Sequence, residues 1–197
     1  MCIGSPGSGK STIVKMLHED AKLDKIELEA VLNKVVKNKK DLAAKLAREF
    51  SEEIINEKKE INKKFLYETI LPRDAPRKNF TKMVEFPLMI ELLKEMYALS
   101  KDSRSPIAMD APMLFDFSYL PYLSFPNIVL FVTETALPVK RIAERDHISI
   151  GEASKQVSMT QAQIGNILRK ANMKVNNDAD ELTLKHKFIN DIAPFLM

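Results

Sequence analysis

Three of the five glycines in this 197-residue chain lie within its first nine residues. They belong to the stretch Gly-Ser-Pro-Gly-Ser-Gly-Lys-Ser at residues 4–11, which matches the phosphate-binding pattern G-x-x-x-x-G-K-[ST]. Glycines let successive backbone N–H groups curve around a phosphate, and the helix that follows points its positive dipole end at the same group. The pattern therefore predicts a short strand, a tight loop and a helix, with a nucleoside triphosphate as ligand.

Two side chains are expected to hold the magnesium ion that accompanies such a nucleotide. Ser11 closes the loop pattern, and the hydroxyl at this position is the expected magnesium ligand. Asp110 follows the apolar run Ile-Ala-Met at residues 107–109, a place where an acid commonly lies near the magnesium, directly or through water. A turn at the end of a strand is the alternative explanation for Asp110. Lys10 would supply a mobile positive charge for the phosphates.

Apolar runs that alternate with helical segments indicate the fold class. Residues 107–109 and 128–132 have the length and composition of buried parallel strands, and residues 23–28 and 173–176 are weaker candidates. Together with the short strand before the phosphate loop, they predict a five-stranded parallel sheet. The alternation is typical of a doubly wound α/β fold, in which the ligand binds at the carboxyl ends of the strands.

Composition excludes several classes of function. The net charge of +3 comes from interspersed positive and negative side chains, which does not resemble the footprint of a nucleic-acid-binding protein. One cysteine and three scattered histidines exclude an internal disulfide framework and a Cys/His metal site. No apolar run approaches the roughly 20 residues that cross a bilayer. The chain is therefore expected to act in the cytoplasm on small molecules.

Arginines are expected to serve the transferred phosphate. Arg141, Arg145 and Arg169 follow the fourth predicted strand, and polar residues without strand character fill the interval 146–160. Such a segment is typical of a mobile lid, which we predict over residues 141–161. An arginine carried by a closing lid would stabilise the charge on the phosphoryl group in the transition state. A surface position without a catalytic role is the alternative for each arginine.

A carboxylate is also needed to orient or deprotonate the hydroxyl group that accepts the phosphate. Glu27 and Glu29 flank Leu28 at the predicted end of the second strand, where they would face the phosphate loop. Two ordinary surface acids are the alternative explanation for this pair. The pattern alone does not choose between Glu27 and Glu29 as the base.

Several short blocks, which together run through nearly the whole chain, match the motifs of one enzyme family. The most specific are Pro-Met-Leu-Phe at residues 112–115, inside the longer block Asp-Ala-Pro-Met-Leu-Phe-Asp at residues 110–116, and the interval from Arg145 to Gln161. The other matching positions are Phe50, Ile54, Ile55, Ile61, Asn62, Lys63, Leu66, Lys140, Arg141, Asp146, Ala171, Val175, Asn176 and Asn177. In these residues the chain resembles the dephospho-coenzyme A kinase family, and the resemblance does not depend on the phosphate loop alone.

The resemblance implies transfer of the γ-phosphoryl group of ATP to the ribose 3′-hydroxyl of dephospho-coenzyme A, with Mg²⁺ as cofactor. Glu29 stands where the family carries the second acid of an Asp-x-Asp motif, so the resemblance implies that it orients the acceptor hydroxyl. Arg141 and Arg145 would serve the phosphates, and Asn177 would lie near the adenine. Lys10, Glu29 and Arg145 are thus the candidate catalytic residues. The residues implied to hold ATP are Gly7, Ser8, Gly9, Lys10, Ser11 and Thr12.

One domain with three parts is expected. Its core would comprise residues 1–35 and 100–197, a helical region over residues 36–99 would bind the acceptor, and residues 141–161 would form the lid. The expected assembly is a monomer or a weakly associating homo-oligomer. Lys63 stands in place of a family arginine, and since lysine lacks a bidentate guanidinium, we expect a weaker phosphate contact there. Phe86 stands in place of a family histidine.

Other functions are compatible with the same residues. Another small-molecule or nucleotide kinase of this fold would share the loop, the lid and the helical region. A nucleotide-binding protein without kinase activity would need only the loop. An inactive kinase is a further alternative, because Phe86 and Lys63 depart from the family pattern. A screen of acceptors distinguishes these readings.

Overall fold

The computed structural model describes residues 2–102, 105–111, 117–123, 126, 128–134, 136–169 and 171–196. Part of the family-like block, the stretch Pro-Met-Leu-Phe-Asp at residues 112–116, lies outside the described residues. No helix within the described ranges is both long enough and apolar enough to span a membrane.

A parallel sheet organises the described chain. Its five strands are β1 (Cys2–Gly4), β2 (Asp24–Glu27), β3 (Ile107–Asp110), β4 (Ile128–Phe131) and β5 (Met173–Asn176). They are ordered β2-β3-β1-β4-β5, so the chain crosses over between neighbours. This order, with helices in the connections, confirms the predicted five-stranded doubly wound α/β fold.

The strand before the phosphate loop lies at the centre of the sheet. β1 pairs in parallel with β3 on one side and β4 on the other, and β4 pairs with β5. Cys2 and Ile3 have no solvent exposure, as expected for a strand covered on both faces. Burial, the largest influence, raises the pKa of the Cys2 thiol to about 12, so this thiol stays neutral at physiological pH.

Helices follow β1, β2, β4 and β5 directly, and further helices form a separate helical section. In chain order they are α1 (Lys10–Glu19), α2 (Leu28–Asn38), α3 (Lys40–Glu49), α4 (Lys63–Phe65), α5 (Asp74–Asp102), α6 (Ala136–Asp146), α7 (Ile150–Arg169), α8 (Glu181–Lys187) and α9 (Ala193–Leu196). Shorter helical turns lie at Glu52–Ile54, Leu66–Ile70, Leu120–Leu123 and Phe188–Ile192. The last of these connects α8 to α9.

The described residues form two compact units. The described parts of Met1–Lys25, Ser105–Pro112 and Ser124–Met197 make the first unit, and those of Ile26–Arg104 and Met113–Leu123 make the second. In the first unit, the sheet packs against Ile13 and Leu17 of α1 and against Leu184 of α8. The domain boundaries expected from the sequence stay a prediction.

The second unit is built from α2, α3 and α5. Buried side chains of these helices include Val35, Leu46 and Phe80, and the Phe80 ring meets Phe50 edge-on at 6.2 Å between centroids. α5 begins at Asp74 and continues past Pro87, which lies inside the helix. A proline inside a helix removes one backbone hydrogen bond. Buried apolar side chains lie on both sides of this proline within α5.

The predicted lid is a helical hairpin in the first unit. α6 and α7 meet through a small apolar cluster of Ile142, Ala153 and Val157. Between the two helices, His147 has a φ of 53°, and Ser149 then caps α7 by exchanging hydrogen bonds with Glu152. The segment is thus helical, in agreement with its lack of strand character. Its closure over a nucleotide stays a prediction.

Candidate nucleotide-binding site

Two glycines of the phosphate loop are required by both conformation and space. Gly7 has a φ of 74° and Gly9 has a φ of 95°, backbone angles that residues with a Cβ rarely adopt. A Cβ on Gly7 would lie 2.7 Å from the Pro138 carbonyl oxygen, and one on Gly9 would lie 2.5 Å from Asn177 Nδ2. The loop is therefore pressed closely against α6 and the end of β5, which leaves no room for a side chain.

Lys10 is the first residue of α1, and its side chain folds back over the loop. Its Nζ donates a hydrogen bond to the Ser5 carbonyl oxygen at 3.0 Å, and the residue is largely buried. The first turn of α1, all of which is described, carries no acidic side chain. The positive end of the helix and the ammonium group thus act on the same region, which favours an anion there.

Ser11 and Asp110, the two predicted magnesium ligands, are in direct contact, and their role in binding the metal stays a prediction. Ser11 Oγ donates a hydrogen bond to Asp110 Oδ2 at 2.7 Å, and Asp110 closes β3 opposite Cys2 of β1. The other oxygen, Asp110 Oδ1, is buried and accepts no hydrogen bond from the part of the chain that the structure describes. Buried carboxylate oxygens are nearly always satisfied, so this atom points to a missing donor or cation. A hydroxyl beside such a carboxylate is the kind of oxygen set that Mg²⁺ takes.

Arg141 ties the phosphate loop to the connection between β5 and α8. Its Nη1 donates to the carbonyl oxygens of Gly7 at 3.2 Å and Asn177 at 3.1 Å, and its Nη2 donates to Ala179 at 2.5 Å. Burial lowers the pKa of Arg141 below its ordinary value, and the nearby Asp178 carboxylate partly offsets this effect. The sequence predicts a phosphate ligand at this position, and the structure shows a guanidinium that already binds three backbone oxygens.

Asn177 makes a second connection to the loop. Its Nδ2 donates to the Ser8 carbonyl oxygen at 3.0 Å, and its backbone N–H donates to the Phe131 carbonyl oxygen at 2.9 Å. Both Asn177 and Ser8 are buried. The end of β5 is therefore attached to the phosphate loop and to β4 through a single residue.

Asp178, the residue after Asn177, extends this hydrogen-bond network across the ends of β4 and β5. The Asp178 carboxylate accepts hydrogen bonds from the Thr133 backbone N–H at 2.7 Å and from the Thr133 hydroxyl. These hydrogen bonds, that from the hydroxyl foremost, hold the pKa of Asp178 below its ordinary value. The loops after β4 and β5 are thus linked at the carboxyl edge of the sheet.

Arg145 lies one turn after Arg141 on α6 and contacts its own neighbour. Its Nε and Nη2 donate to the two carboxylate oxygens of Asp146, each at 2.7 Å. This is the bidentate geometry that a guanidinium also uses on a phosphate. The side chain is 60% exposed, so exchange of the carboxylate for another oxyanion would meet little steric resistance.

One cavity brings most of the predicted site residues together. It has a volume of about 280 Å³ and lies in the first unit. Its lining is Gly7, Gly9, Lys10, Ser11, Thr12, Arg141, Arg145, Asn177, Glu181 and Leu184. Ser8 and Asp110 adjoin it through their bonds to Asn177 and Ser11.

Sequence reasoning missed two lining residues. Glu181 begins α8, and Leu184 lies one turn later with its side chain buried. Their position four and seven residues after Asn177 was the available signal, because a helix that starts beside a binding segment presents its first turn to the ligand.

Glu29 lies in a helix and not at the end of the second strand, where the sequence predicts it. β2 ends at Glu27, which precedes α2 as its N-cap, so Glu29 belongs to the first turn of a helix and not to the end of a strand. The Glu29 carboxylate forms an ion pair with Lys63, whose Nζ lies 2.5 Å from Glu29 Oε2. Glu29 belongs to the second unit and is not among the described residues that line the cavity.

The sequence model of the dephospho-CoA kinase family matches residues 2–182. This chain belongs to the dephospho-CoA kinase family. The match includes the phosphate loop, both predicted magnesium ligands and the helical second unit. Membership in the dephospho-CoA kinase family makes the chain a nucleotide-binding kinase and makes ATP the expected phosphate donor.

Individual relatives agree with membership in the dephospho-CoA kinase family at low identity. A dephospho-CoA kinase of Listeria innocua is 26% identical over 196 residues, covering 95% of this chain and 96% of its own. Among solved structures, a Thermus thermophilus protein has a TM-score of 0.73 at 17% identity, covering 100% of this chain and 96% of its own. A dephospho-CoA kinase from Campylobacter jejuni has a TM-score of 0.62 at 22% identity, and the match covers 100% of this chain and 97% of that protein. At these identities the two structures support the fold alone.

Proposed function

We propose that this protein transfers the γ-phosphoryl group of ATP to the ribose 3′-hydroxyl of dephospho-coenzyme A. The observation that carries the proposal is the family match over residues 2–182, which extends far beyond the phosphate loop. In the reaction, a bond forms between the acceptor oxygen and the γ-phosphorus, and the bond from the γ-phosphorus to the leaving oxygen of ADP breaks. The products are coenzyme A and ADP. We place this reaction in the cytoplasm.

The loop residues would hold the donor. Backbone N–H groups from Gly7 to Thr12 would surround the phosphates, and Lys10 would move its ammonium group from the Ser5 carbonyl to a phosphate oxygen. Asn177 would lie beside the adenine, since it lines the same cavity as the loop. Because these contacts form before the reaction, they act chiefly by positioning the donor.

Ser11 and Asp110 fit a magnesium ion. Their oxygens lie 2.7 Å apart, and the buried Asp110 Oδ1 lacks a hydrogen-bond donor in the described chain. A magnesium ion held by these two residues would supply positive charge to offset the negative charge that develops on the phosphates. Ser11 would present a neutral oxygen, and Asp110 would supply negative charge directly or through water.

Two further side chains would act on the reacting groups. Glu29 would accept the proton of the 3′-hydroxyl or orient that hydroxyl for attack. Arg145 would exchange the Asp146 carboxylate for oxygens of the transferred phosphoryl group, which carry the most charge in the transition state. No covalent enzyme intermediate is needed, because positioning and charge stabilisation supply the catalysis.

The test is ADP release from ATP and Mg²⁺ by the purified chain, with and without dephospho-coenzyme A, and identification of the product by mass. We expect a product heavier by one phosphoryl group. The Lys10→Ala variant should lose roughly 10²-fold or more in turnover, similar to the loss of a fixed transition-state donor. Lys15→Ala is the matched control, since this exposed lysine lies on the same helix and only weakly pairs with Glu19.

Two results would contradict the proposal. If ADP release depends on a different acceptor, the chain is a kinase of another specificity. If ATP binds but no acceptor in a screen stimulates ADP release, the protein is an inactive member of the family. An undiminished turnover of Lys10→Ala would overturn the assignment of the phosphate loop.

A further inference from the structure

A short segment of the second unit is fastened to α2 beside Glu29. The Ile61 backbone N–H donates to Asn33 Oδ1 at 3.0 Å, and Asn33 lies one helical turn after Glu29. The Asn62 N–H donates to the Ile54 carbonyl oxygen at 2.8 Å, and Asn62 Oδ1 accepts from the Phe65 N–H, which caps α4. Hydrogen bonds of Ile61 and Asn62 thus fix the backbone next to Lys63 independently of the Lys63 side chain.

Lys63 uses this fixed position to bind the Glu29 carboxylate. Its Nζ lies 2.5 Å from Glu29 Oε2, and the Glu29 side chain is 32% exposed while that of Lys63 is 64% exposed. A glutamate side chain has three rotatable bonds, so an unrestrained carboxylate samples many orientations. The ammonium group restrains one oxygen, and the second oxygen of the same carboxylate can then accept a hydroxyl proton.

We propose that Lys63 is the positioning residue for Glu29: it holds Oε2 so that Oε1 meets the acceptor hydroxyl. This inference rests on the proposed function, in which Glu29 orients or deprotonates that hydroxyl. Lys63 acts through Glu29 and not by contact with the transferred phosphate. A misplacement of a reacting group by about 1 Å can cost as much as 10²-fold in rate, so the restraint has a large kinetic effect.

The pair is well suited to a kinetic test because it contributes little to folding. Exposed ion pairs typically add little to the stability of a folded protein. Replacement of Lys63 by Met should therefore leave the unfolding midpoint nearly unchanged. We expect kcat with dephospho-coenzyme A to fall roughly 10-fold for Lys63→Met, with little change in KM for either substrate, since positioning acts on the chemical step. The kcat of Lys63→Arg should stay within about 3-fold of the wild-type value, because the arginine guanidinium also binds a carboxylate.

A double-mutant cycle shows whether Lys63 acts through Glu29. Glu29→Gln should lower kcat by roughly 10²-fold through loss of the base. Once the carboxylate is gone, the lysine has nothing to position, so the double variant should resemble Glu29→Gln alone. If the effects instead multiply to roughly 10³-fold, Lys63 acts independently of Glu29 and the inference is wrong. Lys58→Met is the matched control, an exposed lysine in the same unit whose replacement should leave kcat unchanged.

Three further outcomes decide between this inference and the proposed function. A wild-type enzyme that does not phosphorylate dephospho-coenzyme A overturns both. Wild-type turnover that depends on Glu29 but is insensitive to Lys63→Met overturns the positioning role and leaves the function intact. If Lys63→Met raises the KM for dephospho-coenzyme A and leaves kcat normal, Lys63 binds the acceptor directly, which also contradicts the inference.

Discussion

Replacement of Arg141 by alanine tests whether this side chain is an anchor of the fold or a ligand of ATP. The guanidinium donates to three backbone oxygens, those of Gly7, Asn177 and Ala179. A hydrogen bond that involves a charged partner contributes about 1.5–3 kcal/mol. The three share one side chain, and water can replace part of them, so the total is nearer to one or two such bonds. We expect Arg141→Ala to lower the free energy of unfolding by about 3 kcal/mol.

Urea denaturation followed by circular dichroism measures this loss. Arg141→Lys should recover only part of it, because a single ammonium group cannot satisfy three separated carbonyl oxygens. Lys140→Ala is the matched control, since Lys140 is exposed and its Nζ makes only a long, exposed ion pair with Glu144 Oε1 at 3.9 Å. We also expect the KM for ATP to rise in Arg141→Ala, because the loop loses its link to the segment after β5.

The reasoning is refuted if Arg141→Ala unfolds at the wild-type urea concentration. In that case the hydrogen bonds to the loop contribute nothing net, and a raised KM for ATP would identify Arg141 as a phosphate ligand, as the sequence predicts. A loss of stability equal to that of Lys140→Ala leads to the same conclusion.

Three other perturbations test the site. Gly9→Ala should destabilise the protein by about 1–3 kcal/mol in thermal unfolding, because its φ is 95° and the new Cβ would lie 2.5 Å from Asn177 Nδ2. Gly151→Ala should instead be neutral or stabilising by up to about 1 kcal/mol, because Gly151 lies in α7 and a new Cβ would be 4.0 Å from Ser149 Oγ, an ordinary van der Waals distance. Equal losses at both positions would contradict the argument. Asp110→Asn should raise the Mg²⁺ concentration for half-maximal turnover by roughly 10-fold or more, since a neutral amide binds the cation less strongly; an unchanged magnesium titration removes Asp110 from the metal site. The folded-state pKa of Asp178 is depressed, so its contribution to stability is present above its ordinary pKa of 3.8 and is lost as pH falls through the lower folded value. The stability difference between wild type and Asp178→Asn should therefore shrink with falling pH, and a constant difference would refute this.

The middle of the sheet was predictable because its three central strands, β3, β1 and β4, are largely buried and locally apolar. Residues 107–109 and 128–132 correspond closely to β3 and β4, and the weaker candidate at 173–176 coincides with β5. Short apolar runs between helices leave few other arrangements for a chain with a phosphate loop. The strand candidate at residues 23–28 was too long at both ends, because β2 covers only Asp24–Glu27.

Errors arose where a local pattern had two possible continuations. Glu29 was assigned to a strand end, but Leu28 starts an amphipathic helix whose buried face needs its first turn. A proline likewise does not always mark the end of a helix: Pro76 falls in the first turn of α5, where a backbone N–H would have no intrahelical acceptor. Element boundaries depend on packing with distant residues, which a local pattern does not contain.

The sequence by itself determined the phosphate loop, because its ligand contacts come from backbone groups of adjacent residues, and it also identified the family. Only the tertiary structure decided the partners of the functional side chains. Ser11 and Asp110 are 99 positions apart, and Arg141 is 134 positions from Gly7. Such pairs form when the parallel strands bring their carboxyl ends to one edge, so the geometry depends on the whole sheet and not on any local stretch.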